Sequence, residues 1–120
     1  MPSRNPVQRW EDILENIALI ETFTAGMDLT SFSRDPKTGY AVERCLERIS
    51  EAAKKLGGVA ELECPEIRWP ELRAVGNLLR HEYDRVDTTR VWLMVEDDLP
   101  SLKAAVTAAL IRLRADESNA

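Results

Sequence analysis

Apolar residues recur three and four positions apart along most of this chain, and nowhere do they alternate with polar ones as a half-buried strand requires. Trp10, Ile13, Leu14, Ile17, Ile20 and Phe23 form one such stripe, predicting a first helix over about residues 8–25 that Gly26 ends. Asp28 is placed to cap a short second helix, residues 29–33. Asp35-Pro36 reads as an N-cap followed by proline at the first helical position. Val42, Cys45, Leu46, Ile49, Ala53 and Leu56 carry the apolar face of the helix that follows, and Gly57-Gly58 stops it by adopting a left-handed conformation at little cost. Residues 59–68, around Pro65, read as a connector. Trp69-Pro70 opens a helix expected to run to about Tyr83, with Leu72, Val75 and Leu79 on its apolar side. Asp87 or Thr88 caps another, containing Val91, Trp92 and Val95. Pro100 interrupts the helical hydrogen-bond ladder, which places a kink or restart at Asp98-Leu99-Pro100. Leu102, Ala105, Val106, Ala109, Leu110 and Leu113 drive the last helix, expected to fray from Asp116 onward. The fold class this predicts is all-α: one domain over residues 1–120, an antiparallel bundle of four to five main helices.

Composition narrows the setting. The longest apolar stretch, residues 104–111, is interrupted by Thr107 and falls far short of the ~20 residues a membrane helix needs. The first residues, Met1-Pro2-Ser3-Arg4-Asn5-Pro6, have no apolar signal segment, so a cytoplasmic location is expected and no membrane association. Cys45 and Cys64 match no zinc spacing and read as two reduced thiols. The formal net charge of −5 argues against broad electrostatic binding of nucleic acid. The charge is unevenly spread, however. Arg68, Arg73, Arg80, Arg85 and Arg90 outnumber Glu71, Glu82, Asp84 and Asp87, making this the one locally basic segment.

That segment also contains the single histidine. On a helix, Arg73, Asn77, Arg80, His81 and Asp84 fall on one stripe, away from Leu72, Val75 and Leu79. A guanidinium, an amide and an imidazole on one surface are equipped to bind a phosphate and to move protons beside it. Taken alone, His81 reads more simply as a helix histidine bonding a neighbouring carboxylate. Tyr83 likewise reads as a residue closing the core with its hydroxyl in water. Trp10, Trp69 and Trp92 read as core or interface anchors. The charge-rich face of the third helix reads as a solvated one laced with ion pairs.

The run Asn77-Leu78-Leu79-Arg80-His81-Glu82-Tyr83, followed by Val86-Asp87 and Val91-Trp92, resembles the signature region of the HepT-like toxins, members of the HEPN class of helical domains. The resemblance extends to Ile17, Ile20, Glu21, Thr24-Ala25-Gly26, Phe32, Asp35-Pro36, Ala41-Val42-Glu43-Arg44, Glu51-Ala52-Ala53-Lys54 and Asp98-Leu99-Pro100. It implies a dimeric, metal-independent endoribonuclease without cofactors, the toxin of a toxin–antitoxin pair. It implies as partner an MntA-like nucleotidyltransferase antitoxin that silences the toxin by transferring AMP to the tyrosine of the His-x-Tyr motif. By motif, His81 is then the catalytic histidine, Asn77 the polar residue after the motif arginine, and Tyr83 the AMP acceptor.

One position departs from the family pattern: Gly76 stands where an arginine precedes the asparagine. Arg80 and Arg73 are the candidates to take over its role. Arg80 lies one turn beyond Gly76, and helical side chains lean toward the N-terminus, over the vacated position. The alternative explanation for Gly76 is close packing of two helices. RNA supplies its own nucleophile, the 2′-OH, so the chemistry expected is proton transfer by His81, phosphate binding by Arg80 and Arg73, and orientation by Asn77. One histidine per chain favours a homodimer whose two copies share a cleft. The net acidity and Gly76 leave a second expectation open, a catalytically weakened dimer that serves as a non-enzymatic binding partner of a nucleotidyltransferase.

Overall fold

The computed structural model describes residues 5–81 and 87–119, and every regular element among them is helical. In chain order these are α1 (Pro6–Thr24), α2 (Leu29–Ser33), α3 (Pro36–Leu56), α4 (Gly58–Glu63), α5 (Trp69–His81), α6 (Thr88–Leu93), a π-helical turn (Met94–Asp98) and α7 (Leu99–Asn119).

Capping residues set most of the boundaries. The Asn5 side chain accepts a hydrogen bond from the Gln8 backbone N–H (3.4 Å), so α1 starts at Pro6, two residues ahead of the sequence expectation. Pro6 fits there because the first helical N–H has no partner to lose. Gly26 follows the helix with φ +76°. Asp28 and Ser31 cap α2 reciprocally: Ser31 N–H donates to Asp28 Oδ1 (2.8 Å) and Asp28 N–H to Ser31 Oγ (3.0 Å). Asp35 caps α3, accepting from the backbone N–H (3.1 Å) and the hydroxyl (2.7 Å) of Thr38.

Three segments differ from the sequence expectation. The connector after Gly57 contains the short helix α4; Gly57, at φ +57°, closes α3 and hands the chain directly to it. Met94–Asp98 forms a π-helical turn, the Leu99 N–H reaching back to the Met94 carbonyl. Pro100 has no N–H to offer the Glu96 carbonyl, and widening the preceding turn relieves its ring. The last helix continues to Asn119 rather than fraying at Asp116. Arg114 reaches Glu11 on α1 (3.2 Å), tying that end down.

Helix α3 occupies the middle, with α1 and α5 packed against it; α7 lies along α1, and α2 bridges α3 and α6. The Glu11–Arg114 and Glu21–Lys103 pairs show α1 and α7 to be antiparallel. All three tryptophans belong to the core. Trp10 and Trp69 are fully buried and meet edge to face, centroids 5.8 Å apart, while Trp92 packs on Phe32 at 5.1 Å. The Trp69 indole N–H donates to the Cys64 carbonyl (2.8 Å) and the Cys64 thiol to the Ala105 carbonyl (3.4 Å), fastening the start of α5 to α7. Both cysteines are buried with free thiols, and burial pushes both thiols above their ordinary pKa. No helix among the described residues is long and apolar enough to cross a membrane.

Candidate active site on helix α5

Helix α5 runs antiparallel to α3, and two contacts fix its register. Near its start the Arg73 guanidinium reaches the C-terminal end of α3: Nε donates to the Ala53 carbonyl (3.2 Å) and Nη2 to the Gly57 carbonyl (2.9 Å). The same group forms a two-pronged pair with Glu61 on α4, Nη2 to Oε1 at 2.6 Å and Nη1 to Oε2 at 2.9 Å. The pair acts on both partners. It holds the Glu61 carboxyl below the ordinary carboxylate range and raises Arg73 further above its usual value. Carbonyls at a helix C-terminus have no partner within the helix and carry its negative dipole end, which suits a cation.

One turn along α5 the two helices meet again through Ser50. Ser50, 1% exposed, donates its hydroxyl to the Arg73 carbonyl (2.8 Å) and accepts from the Gly76 N–H (3.1 Å). Gly76 is buried there. Burial and the Ser50 contact at its N–H agree with the packing alternative for this position.

The residues expected to act are thus separated by environment. Arg73 is half-buried, with all three guanidinium nitrogens hydrogen-bonded to the protein, so phosphate binding there would require displacing Glu61 or the α3 carbonyls. Asn77, the next residue of the stripe, is exposed. Arg80 and His81 form the last turn of α5, and the description ends there at the backbone. Tyr83 and Asp84 lie outside the described residues. What the structure places in one line is the helical backbone from Arg73 through Asn77 to Arg80 and His81, with its N-terminal half clamped to α3 and α4 and Asn77 on the open side.

Sequence reasoning missed two residues that position this helix. Ser50 carried no signal, being one small polar residue on an otherwise apolar-to-charged helix. Glu61 was hidden in a segment read as a connector; the helix-forming run Ala60-Glu61-Leu62-Glu63 was the available hint. A groove of about 230 Å³ does exist elsewhere, between α1 and α3, lined by Arg9, Asp12, Asn16, Arg48, Glu51 and Lys55. It opens on the α1 side of α3, away from Ser50, and is smaller than the ~300–1,000 Å³ of typical small-molecule pockets.

Comparison with known proteins places these features in a family. A Thermococcus cleftensis protein named as a probable ribonuclease HepT is 43% identical over 93 residues, covering 78% of this chain and 84% of the relative. Two Methanocaldococcus jannaschii proteins whose names carry the word RNase are each 36% identical over 103 residues, or 86% of this chain; the alignments cover 85% and 89% of them. No solved structure gives a significant match. The family model described as ribonuclease HepT-like matches residues 13–109, from the first core isoleucine of α1 to the middle of α7, and the chain belongs to that family.

Proposed function

We propose that this protein is a metal-independent endoribonuclease acting in the cytoplasm as the toxin of a toxin–antitoxin pair. The observation that carries the reading is family membership combined with the retained Asn77 and His81 on one clamped helix. Relatives named as ribonucleases align over most of the chain.

In the proposed reaction His81 takes the proton of the ribose 2′-OH. The freed oxygen attacks the adjacent phosphorus, the P–O5′ bond breaks, and the imidazolium of His81, in the same or the partner copy, protonates the departing 5′-oxygen. The products are a 2′,3′-cyclic phosphate and a 5′-hydroxyl. Arg80 neutralises the developing negative charge, since its fork matches phosphate geometry and stays charged at every working pH. Asn77 orients the imidazole or a phosphate oxygen. Arg73, whose guanidinium is occupied by Glu61 and α3, contributes by holding α5 in place. A twofold homodimer brings two copies of the site into one cleft and concentrates its positive charge in an otherwise acidic protein.

The partner in this reading is an MntA-like nucleotidyltransferase that transfers AMP to Tyr83. The added phosphate and base would occupy the arginine cleft and compete with RNA. A second reading, favoured by the burial of Gly76 where the family carries arginine, is a weakened dimer that only binds its nucleotidyltransferase. End-group analysis of cleaved RNA decides between them. Fragments ending in 2′,3′-cyclic phosphate support the nuclease, and intact RNA after incubation with unmodified protein supports the binding module.

A further inference from the structure

Helix α1 turns Trp10, Ile13, Ile17 and Ile20 into the core, and between them stands a polar residue, Asn16, only 5% exposed. Asparagine is a poor helix former, and a leucine at this position would extend the apolar face. The amide nitrogen donates to the Asp12 backbone carbonyl one turn back (2.8 Å). That bond fixes the orientation of the group, because only the nitrogen can meet a carbonyl oxygen. The amide oxygen is left over. Asn16 Oδ1 is buried and has no hydrogen-bond partner among the described residues. A buried acceptor left unpaired destabilises the fold, so its place here points to a partner that the described chain does not supply.

Asn16 lines the groove of about 230 Å³ between α1 and α3. The walls of that groove carry both signs of charge: Asp12, Glu15 and Glu51 against Arg9, Arg48 and Lys55. Arg9 meets Asp12 at 3.3 Å, and Asp12 also accepts from the Gln8 side-chain amide (2.9 Å), so these two are engaged. Glu15, Arg48, Glu51 and Lys55 are exposed and form the rim. Glu15 adjoins Asn16 in sequence, and Glu51 stands one turn of α3 from both Arg48 and Lys55.

This lining selects among ligand classes. A nucleotide or an RNA strand brings negative charge against three carboxylates, and a polyamine brings positive charge against three cations. An apolar molecule finds only Leu19 and Ala52 and leaves the Asn16 oxygen unpaired. The volume also falls below that of drug-sized pockets. A small molecule with one charge of each sign, held at separate ends, meets none of these objections.

We propose that the groove binds a small zwitterion of the α-amino acid class. Its ammonium group donates to Asn16 Oδ1, with Glu15 and Glu51 as counter-charges, and its carboxylate lies toward Arg48 or Lys55. An ammonium offers three donors and a carboxylate only acceptors, so one ligand satisfies the buried oxygen and both signs of the rim. The site lies on the α1 side of α3 and does not depend on the ribonuclease reading.

The test is a titration of the full-length protein with each proteinogenic amino acid, followed by the side-chain N–H signals of Asn16 in ¹H–¹⁵N spectra. These signals are assigned through the Asn16 Cβ, so no variant of the buried residue is required. At least one amino acid is expected to shift them saturably, with half-saturation at or below about 1 mM. Its N-acetyl form, which lacks the ammonium, and its amide, which lacks the carboxylate, should each bind at least about tenfold more weakly. The rim variant Glu15→Gln/Glu51→Gln should bind about tenfold more weakly too, with its other signals in place to show the fold intact. No saturable shift with any amino acid up to about 10 mM overturns the site and leaves the amide oxygen to bound water. An N-acetyl form that binds as well as its parent, or a rim variant that binds as well as wild type, overturns the ammonium assignment. Shifts produced by inorganic phosphate or AMP and not by amino acids overturn the zwitterion.

Discussion

The guanidinium of Arg73 and the carboxylate of Glu61 meet through two hydrogen bonds, of 2.6 and 2.9 Å, while the same guanidinium closes the carbonyl end of α3. One side chain thereby joins α3, α4 and α5 at the base of the helix that carries His81. Replacing Arg73 with alanine strands those carbonyls and the carboxylate. A loss of about 2–3 kcal/mol is expected, in line with removing hydrogen bonds to a charged group, and Arg73→Lys should recover little of it because an ammonium lacks the planar fork. Urea denaturation measures this directly. Unchanged stability with abolished RNA cleavage would instead make Arg73 a phosphate ligand.

Gly76 gives a second expectation. Restoring the family's arginine by Gly76→Arg introduces a long charged side chain where the backbone N–H lies 3.1 Å from Ser50 Oγ. Overpacking of this kind costs about 1–3 kcal/mol, and an unpaired buried charge adds to it. The variant should unfold at markedly lower urea concentration, and Ser50→Ala should be destabilised by about 1 kcal/mol. A Gly76→Arg protein as stable as wild type would show that α3 and α5 separate easily and that close packing does not explain the glycine.

Acid stability follows from three carboxylates held below their ordinary values: Asp35 by the Thr38 hydroxyl and N–H, Asp28 by the Ser31 N–H and hydroxyl, and Glu61 chiefly by Arg73. Each has a folded pKa below its unfolded one, so its stabilisation is complete above the unfolded value near 4 and disappears as pH falls through the folded value. Glu43, with a raised folded value, acts in the opposite sense and loses stability as pH rises through that range. Thermal unfolding between pH 2 and 6 should show a midpoint that falls with acid, and a shallower fall in Asp35→Asn, which keeps a capping side chain but cannot titrate. Equal slopes in wild type and variant would remove Asp35 from the explanation.

The helical pattern was legible because it rests on local physics. The stripe from Trp10 to Phe23 and the caps at Asp28 and Asp35 each act within one or two turns, and each predicted the helix that forms. α4 was not legible, because six residues between Gly57 and Cys64 are too few for periodicity to register. At the site, the alignment of Asn77 with His81 followed from helical spacing. The occupation of Arg73 did not, because its partners Ala53, Gly57 and Glu61 belong to other helices and meet it only after folding. Gly76 stands out in the sequence as a departure, and Ser50, whose hydroxyl meets its N–H, comes to light only from the packing of α3.

The proposed dimer has its own measurement. Sedimentation at micromolar concentration should give twice the chain mass, and a Leu19 or Phe23 change to aspartate, at exposed apolar positions of α1, reports whether that face is covered. A monomer at that concentration would leave one histidine per site and remove the composite cleft.

His81 is the proposed source of ribonuclease activity. The direct measurement is cleavage of total RNA and of tRNA by purified protein carrying no AMP on Tyr83, in excess chelator, beside His81→Ala. Cleavage by the wild type is expected, with a loss of at least ~10²-fold in the variant as for removal of a general acid–base group, and a smaller loss in Arg80→Ala. Equal cleavage by wild type and His81→Ala, or none by either, would contradict it.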